Sequence, residues 1–166
     1  MRKRLPRVER LRELFSYDPV IGVLRWRVKC RQMMPGDIAG RIDANGYISI
    51  GVDRETYYAH RIIWCMQTGS DPVNDVEHRD TVKSNNAWLN LRPATISQNR
   101  ANIGLTVANK SGFKGVCWNA KRQKWCASIG KDGKRYHLGY FDAIEDACAA
   151  YLAKAREFYG EYARAA

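Results

Sequence analysis

Apolar and polar positions alternate along this chain with two periods, and the change of period marks its elements. Leu24-Arg25-Trp26-Arg27-Val28 alternates residue by residue and predicts a strand. Asp37 to Val52 reads as two strands about Asn45-Gly46, a dipeptide that tolerates the positive φ angles of a tight hairpin turn. From Tyr57 to Gln67 the spacing turns helical: Ala59, Ile62, Ile63 and Met66 share a face, and Gly69 stands where a helix can stop. Val8, Leu11 and Leu14 with Phe15 predict a short helix over 7–15. Residues 70–75 are loop by composition. Val76-Glu77-His78 follows, then a polar loop over 79–87, a short apolar piece Trp88-Leu89-Asn90-Leu91, Pro93, and a helix from about Ala94 to Ala101.

The C-terminal third is more regular. Phe113–Trp118, Lys124–Ile129 and Arg135–Leu138 predict three strands, with Asp132-Gly133 at the second turn. On the middle strand Trp125, Ala127 and Ile129 share one face, and Lys124, Cys126 and Ser128 the other. Asp142 followed by Glu145 has the spacing of a capping box. Ile144, Ala147, Cys148, Tyr151, Leu152 and Ala155 then keep helical spacing up to Gly160. A helix on the apolar face leaves the other face of the sheet open. The expected organisation is a first domain over 1–101, a linker over 102–110 and a second domain over 111–162.

Charge narrows the function. The 166 residues carry a formal net charge of +11. Residues 109–141 hold eight Lys and Arg against Asp132 alone, and Arg2, Lys3, Arg4, Arg7, Arg10 and Arg12 open the chain against Glu9. Nucleic acid is the commonest partner of such patches, because Lys and Arg displace counterions condensed on phosphates. No apolar run approaches the length of a membrane span, and no secretory signal is visible, so an intracellular protein is expected. The five cysteines include no C-x-x-C pair. Neither a zinc site nor a disulfide framework is expected, and the thiols read as buried or idle.

Chemistry concentrates in Glu77-His78-Arg79-Asp80 … Asn85-Asn86 … Asn90-Leu91-Arg92 … Asn99. Phosphodiester hydrolysis needs a base for water and a cation for the charge developing on phosphate. Neutral imidazole suits the first task near pH 7. A carboxylate and an amide oxygen suit a hard dication such as Mg²⁺, which keeps several waters. This string resembles the ββα-metal (His-Me finger) core of HNH endonucleases, most closely those of phages and homing introns: an acidic residue and His, Asn86, then Asn90-Leu91-Arg92, then a helix with Asn99. Tyr58-Ala59-His60-Arg61 and the Asn45-Gly46-Tyr47 hairpin are also similar. The resemblance implies an α+β fold and a metal-dependent phosphodiesterase of bacteriophage or prophage origin, acting in a bacterial cytoplasm. It implies His78 as general base and Glu77 and Asn99 as ligands of one divalent ion, Mg²⁺ or Mn²⁺. Asn90 is implied to brace the loop and help orient the histidine. Glu77 stands where the family has Asp, so a silent core that only binds DNA is the alternative. His60 is expected to pack on its helix or contact phosphate rather than catalyse.

A second resemblance covers about 110–160. Ser111-Gly112-Phe113-Lys114-Gly115-Val116, Lys124-Trp125-Cys126-Ala127-Ser128-Ile129, Leu138-Gly139-Tyr140-Phe141-Asp142 and Glu145-Asp146-Ala147-Cys148-Ala149-Ala150-Tyr151 resemble the DNA-binding domain of plant ethylene-response factors. That implies a three-stranded antiparallel sheet packed on one helix, with the sheet in the major groove of double-stranded DNA. Lys114, Trp118, Arg122, Lys124, Arg135 and His137 fall by position on or near the DNA-facing strands. Cys117, Asn119 and Gly130 stand where that family has arginines, which implies looser sequence choice and more reliance on phosphate contacts. The expected protein is a monomer or homodimer that nicks or cuts DNA.

Overall fold

In the computed structural model, which describes residues 3–105 and 108–164, the elements follow the expected order. Helix α1 (Val8–Leu14) leads into a hairpin of β1 (Phe15–Asp18) and β2 (Val23–Trp26). Strands β3 (Arg41–Ile42), β4 (Ile48–Val52) and β5 (Glu55–Tyr58) form an antiparallel sheet in that order. Helix α2 (Ala59–Thr68) follows, then the ribbon of β6 (Asp75–His78) and β7 (Leu91–Ala94), joined by the 79–87 loop and one 3-10 turn at Trp88–Asn90. These elements make up one compact unit, Met1–Ala94. The second, Thr95–Ala166, holds α3 (Ile96–Asn102), the sheet β8 (Val116–Asn119), β9 (Lys124–Lys131) and β10 (Lys134–Phe141), and α4 (Ile144–Tyr159).

The first core is built from the residues that set the sequence periods. Leu11, Phe15, Ile50, Ile62 and Ile63 are sealed from solvent, and Leu24, Trp26, Val76 and Leu91 close around them. Burying side chains of this size contributes about 1.5–3 kcal/mol each. Tyr57 and Tyr58 were expected inside the helix but lie on β5, opposite Ile50 and Ser49. Their rings suit a pleated surface, and α2 starts only after them. Helix α2 stops at Gly69, whose φ of 80° is left-handed and whose amide returns to the Cys65 carbonyl. Arg12 also donates to the Met66 carbonyl near that end, where a cation meets the negative pole of the helix.

In the second unit, β9 is central, between β10 and β8. Ala127 and Ile129 bury against Ala147, Cys148, Tyr151, Ala155 and Tyr159 of α4, with Trp125 beside them. Gly115 shows why the preceding turn needs glycine. Its φ is 65°, and a Cβ there would sit 2.3 Å from the Ser128 carbonyl oxygen and 2.5 Å from the Tyr151 ring. That turn delays β8 to Val116, three residues later than its apolar pattern suggests.

Two expectations need correction. Asp142 does not cap α4: the N-cap is Ala143, without a side-chain cap bond, and the Asp142 carboxylate pairs with Lys124 instead, at 3.0 Å. The units also divide at 94/95 rather than after 101. Thr95 and Gln98 form a reciprocal capping box that starts α3 afresh, Ala101 lies in the second core, and Lys114 donates to the Ala101 carbonyl. Of the expected linker, Thr106 and Val107 lie outside the described residues, as does Arg2 of the basic N-terminus.

Candidate active site and nucleic-acid face

His78 ends β6 and is buried. Its Nε2 lies 3.0 Å from Asn86 Oδ1. The Asn86 amide nitrogen donates to the Ser84 carbonyl, which sets the orientation of the amide. An amide oxygen only accepts, so Nε2 carries the proton and the imidazole lone pair is on Nδ1. Burial pushes the His78 pKa below its ordinary 6.5; Lys83 adds to this, while Asn86 and Asp80 oppose it. The ring is therefore neutral near pH 7, with Nε2 held by Asn86.

The hairpin of β1 and β2 fixes Asn86. Tyr17 donates its hydroxyl to the Asn86 carbonyl at 2.8 Å, and the Trp88 amide donates to the Pro19 carbonyl at 2.9 Å. Gly22 approaches so closely that a Cβ would fall 2.2 Å from the Ala87 nitrogen and 2.3 Å from the Asn86 carbonyl carbon. Burial pushes the Tyr17 hydroxyl up to about 12, with Asp18 adding to it, so it donates as a neutral phenol.

Asn90 braces the loop. Its Oδ1 accepts from the Asp80 amide at 3.1 Å, and its Nδ2 donates to Asp80 Oδ1 at 2.9 Å and to the Asn85 carbonyl at 2.7 Å. Burial disfavours the Asp80 carboxylate, but bonds from Asn85, Asn90 and the Val82 amide outweigh it and hold the carboxyl below its usual range. The bonds of Asn90 thus go to the loop, and the direct bond to His78 comes from Asn86.

Glu77 lies opposite Arg92 in the β6–β7 register. Arg92 Nε sits 2.5 Å from Glu77 Oε1, with both side chains buried. The carboxylate expected to hold a metal is therefore also the partner of a buried guanidinium. Glu77 and Asn99 each offer a hard oxygen donor, the type a dication such as Mg²⁺ prefers. Among the described residues no three His, Cys, Asp or Glu side chains converge as a metal site. Asn99 lies on α3, in the second unit.

An aromatic cluster adjoins His78. His60, in the first turn of α2, meets it edge-on at 5.2 Å between ring centroids; Tyr47 lies 5.3 Å from His60 and 6.1 Å from His78. Lys83 sits 4.8 Å over the Tyr47 ring and donates to the Asn45 carbonyl at 3.0 Å. The turn carrying Asn45 and Tyr47 is held by Asp43, which accepts from both amides. Sequence reasoning gave no site role to Asn86, Lys83 or Tyr47. Asn86 already stood in the HNH-like string, though without a role of its own; nothing along the chain joins residue 47 to residue 83.

In the second unit the face away from α4 carries Lys124, Cys126 and Ser128 from β9, Cys117 and Asn119 from β8, and Arg135, His137 and Tyr140 from β10. The Arg122 guanidinium lies 4.6 Å over Tyr140, whose ring is 4.7 Å from His137. Arg135 donates twice to Ser128 Oγ, at 3.1 and 2.9 Å. Four of the six expected contact residues, Arg122, Lys124, Arg135 and His137, thus gather on one side. Trp118 belongs to the opposite side, edge-on to Trp125 at 5.2 Å. Lys114 turns inward to the Ala101 carbonyl, and burial, with Arg164 adding to it, lowers its pKa to about 8. Neither stands on the open face: residue parity puts Trp118 on the other side of the sheet, where it stays exposed, and the turn at Gly115 puts Lys114 against α3.

The site is a strand-borne histidine, a braced loop and a returning strand, and the sequence profile of the HNH endonucleases matches residues 57–101. Protein 3.8 of Escherichia phage T7 is 30% identical over 106 residues, covering 63% of this chain and 87% of that protein. Residues 57–101 thus form an HNH endonuclease domain, and the chain is a relative of protein 3.8. An uncharacterised HNH endonuclease of Acanthamoeba polyphaga mimivirus is 31% identical over 121 residues, covering 72% of this chain and 62% of that one. The solved structure titled for DNA binding and cleavage by the HNH homing endonuclease I-HmuI aligns over 92% of this chain and 88% of its own, with 19% identity and a TM-score of 0.42. HNH nucleases generally use a divalent metal ion. No helix among the described residues is long and apolar enough to cross a membrane.

Proposed function

We propose that this protein is a metal-dependent DNA endonuclease or nickase that hydrolyses phosphodiester bonds, with His78 as general base. The observation that carries this reading is the buried neutral imidazole whose Nε2–H is committed to Asn86. Water attacking phosphorus gives its proton to the His78 imidazole. The imidazolium so formed keeps its Nε2–H bond to the Asn86 oxygen, which strengthens as the ring gains charge. Lys83 supplies a cation on the rim, and His60 offers a phosphate contact beside the base. Glu77 and Asn99 would hold one divalent ion, Mg²⁺ or Mn²⁺, which supplies charge neutralisation at the phosphate and leaving oxygen. Asn90 keeps the 79–90 loop in shape.

The open face of the second unit is the DNA grip in this reading, through Arg122, Lys124, Arg135 and His137, with Lys114 and Trp118 supporting it from behind. Its likeness to the ethylene-response-factor domain and the +7 charge of residues 109–141 support double-stranded DNA as partner. Two weak sites on one chain raise each other's effective concentration. The acting form is a monomer or homodimer, in the cytoplasm of a bacterium carrying the phage or prophage. A second reading, a DNA-binding protein with a silent core, is favoured by one observation: Glu77 replaces the family's Asp and is paired with Arg92.

Supercoiled plasmid separates the two. With Mg²⁺ or Mn²⁺ the parent should convert it to nicked or linear form, chelator should stop this, and His78→Ala should abolish it while still retarding DNA on a gel. Retardation without cutting in either metal would establish the silent form.

A further inference from the structure

The open sheet face holds a feature that phosphodiester hydrolysis does not use. Cys117 and Cys126 are direct partners in the β8–β9 register. The Ser128 amide donates to the Gly115 carbonyl at 2.8 Å. In an antiparallel ladder, hydrogen-bonded pairs recur every second residue. Cys117 and Cys126 therefore form such a pair, with Cα atoms about 5.5 Å apart. Disulfides most often span about 5.5–6 Å between Cα atoms.

Both thiols project away from α4. Cys117 is exposed and Cys126 partly so. Cys126 Sγ lies 3.7 Å from His137 Nδ1. Of the other cysteines, Cys65 and Cys148 are buried, and Cys30 is half-buried in the first unit. The expectation that all five thiols are buried or idle therefore fails for this pair, because strand register brings together two residues nine apart in sequence.

We propose that Cys117 and Cys126 form an oxidisable dithiol, a modification site that closes an intramolecular disulfide when it meets a hydroperoxide. Cys117, the more accessible thiol, gives its proton to solvent and attacks a peroxide oxygen as thiolate. The S–O bond forms, the O–O bond breaks, and the departing hydroxide takes a proton to leave as water. Cys126 then passes its proton to His137 Nδ1 and attacks the Cys117 sulfur. The S–S bond forms, the S–OH bond breaks, and the leaving hydroxide recovers the imidazolium proton as a second water. The two sulfurs together lose two electrons, and the peroxide gains them. Burial holds the Cys126 thiol above its usual pKa, which suits it to the second step rather than the first. This site stands independently of the nuclease reading.

The test treats the full chain with stoichiometric hydrogen peroxide, without reductant, and maps its peptides by mass spectrometry before and after dithiothreitol. Two of the five thiols should disappear, the mass should fall by about 2 Da, and a single dithiothreitol-labile crosslink should join the peptides of residues 117 and 126. Their loss should run at least about tenfold faster than that of Cys65 and Cys148. Cys126→Ser should abolish the crosslink and leave a sulfenic acid at residue 117 that dimedone traps; Cys30→Ser should change nothing. First oxidation at Cys30, uniform oxidation of all five, crosslinks only between chains, or thiols that all persist would each overturn the proposal.

Discussion

Replacing Arg92 with methionine removes the guanidinium and keeps most of the side-chain volume. The Glu77–Arg92 contact is 2.5 Å long, and the two side chains are 4% and 5% exposed. A close buried pair has a large Coulomb energy, but folding has already spent much of it on taking both charges out of water. The measurable effect comes from removing one partner. Arg92→Met takes its guanidinium partner from the buried Glu77 carboxylate, at a cost of about 3–5 kcal/mol. The unit Met1–Ala94 unfolds with an entropy near 0.2 kcal/mol/K, at about 2.1 cal/mol/K per residue. The loss therefore corresponds to a fall in Tm of about 15–25 °C. Thermal melts followed by circular dichroism would measure parent, Arg92→Met, Glu77→Met and the double variant. The double variant should recover most of the loss, since an apolar pair of similar volume often matches a buried ion pair. An Arg92→Met protein melting within about 5 °C of the parent would refute the reasoning, as would a double variant whose loss equals the sum of the singles.

Three other expectations follow from the geometry. Asn86→Ala should lower kcat of plasmid nicking about 100-fold with KM little changed, because the base loses its tautomer and its aim; an unchanged kcat would remove Asn86 from the site. Gly22→Ala, which forces a Cβ to within 2.3 Å of the backbone at residues 86 and 87, should displace the His78 ring signals in NMR spectra and destabilise the first unit by about 1–3 kcal/mol. Lys114 binds fewer protons folded, with its pKa at about 8, than unfolded near 10.5. Its contribution to stability therefore rises with pH from about 8 towards 10. Above that, folded Tyr17, raised to about 12, keeps a proton that the unfolded chain releases, and this contribution falls. Denaturant titrations at pH 8, 9 and 10 should show the rise in the parent and its absence in Lys114→Met.

Much of this arrangement is legible along the chain, for reasons particular to each segment. Asn45-Gly46 and Asp132-Gly133 fix two turns by backbone chemistry alone, and Gly46 and Gly133 do adopt positive φ. The apolar stripes of α2 and α4 fix two helices, because each faces a single core. The parity of β9 sorted Trp125, Ala127 and Ile129 from Lys124, Cys126 and Ser128 correctly. What the chain concealed was choice among partners. Asp142 had the spacing of a cap, but Lys124 across the strand gave it a charge partner. Glu77 had the place of a ligand, yet its opposite number Arg92 lies fifteen residues away, visible only once β6 pairs with β7. Asn86 was one amide among several until the β1–β2 hairpin closed over it.

Lys83 illustrates how a surface residue can be made ready in advance. A free lysine samples many rotamers, and ordering it costs up to about 2 kcal/mol. Here the Tyr47 ring and the Asn45 carbonyl have already narrowed that choice. An anion approaching His78 would meet a charge whose freedom has been reduced beforehand, so less motion remains to be frozen on contact. The short β3–β4 turn, remote in sequence and without chemistry of its own, thereby tunes how readily the neighbouring pocket receives negative charge.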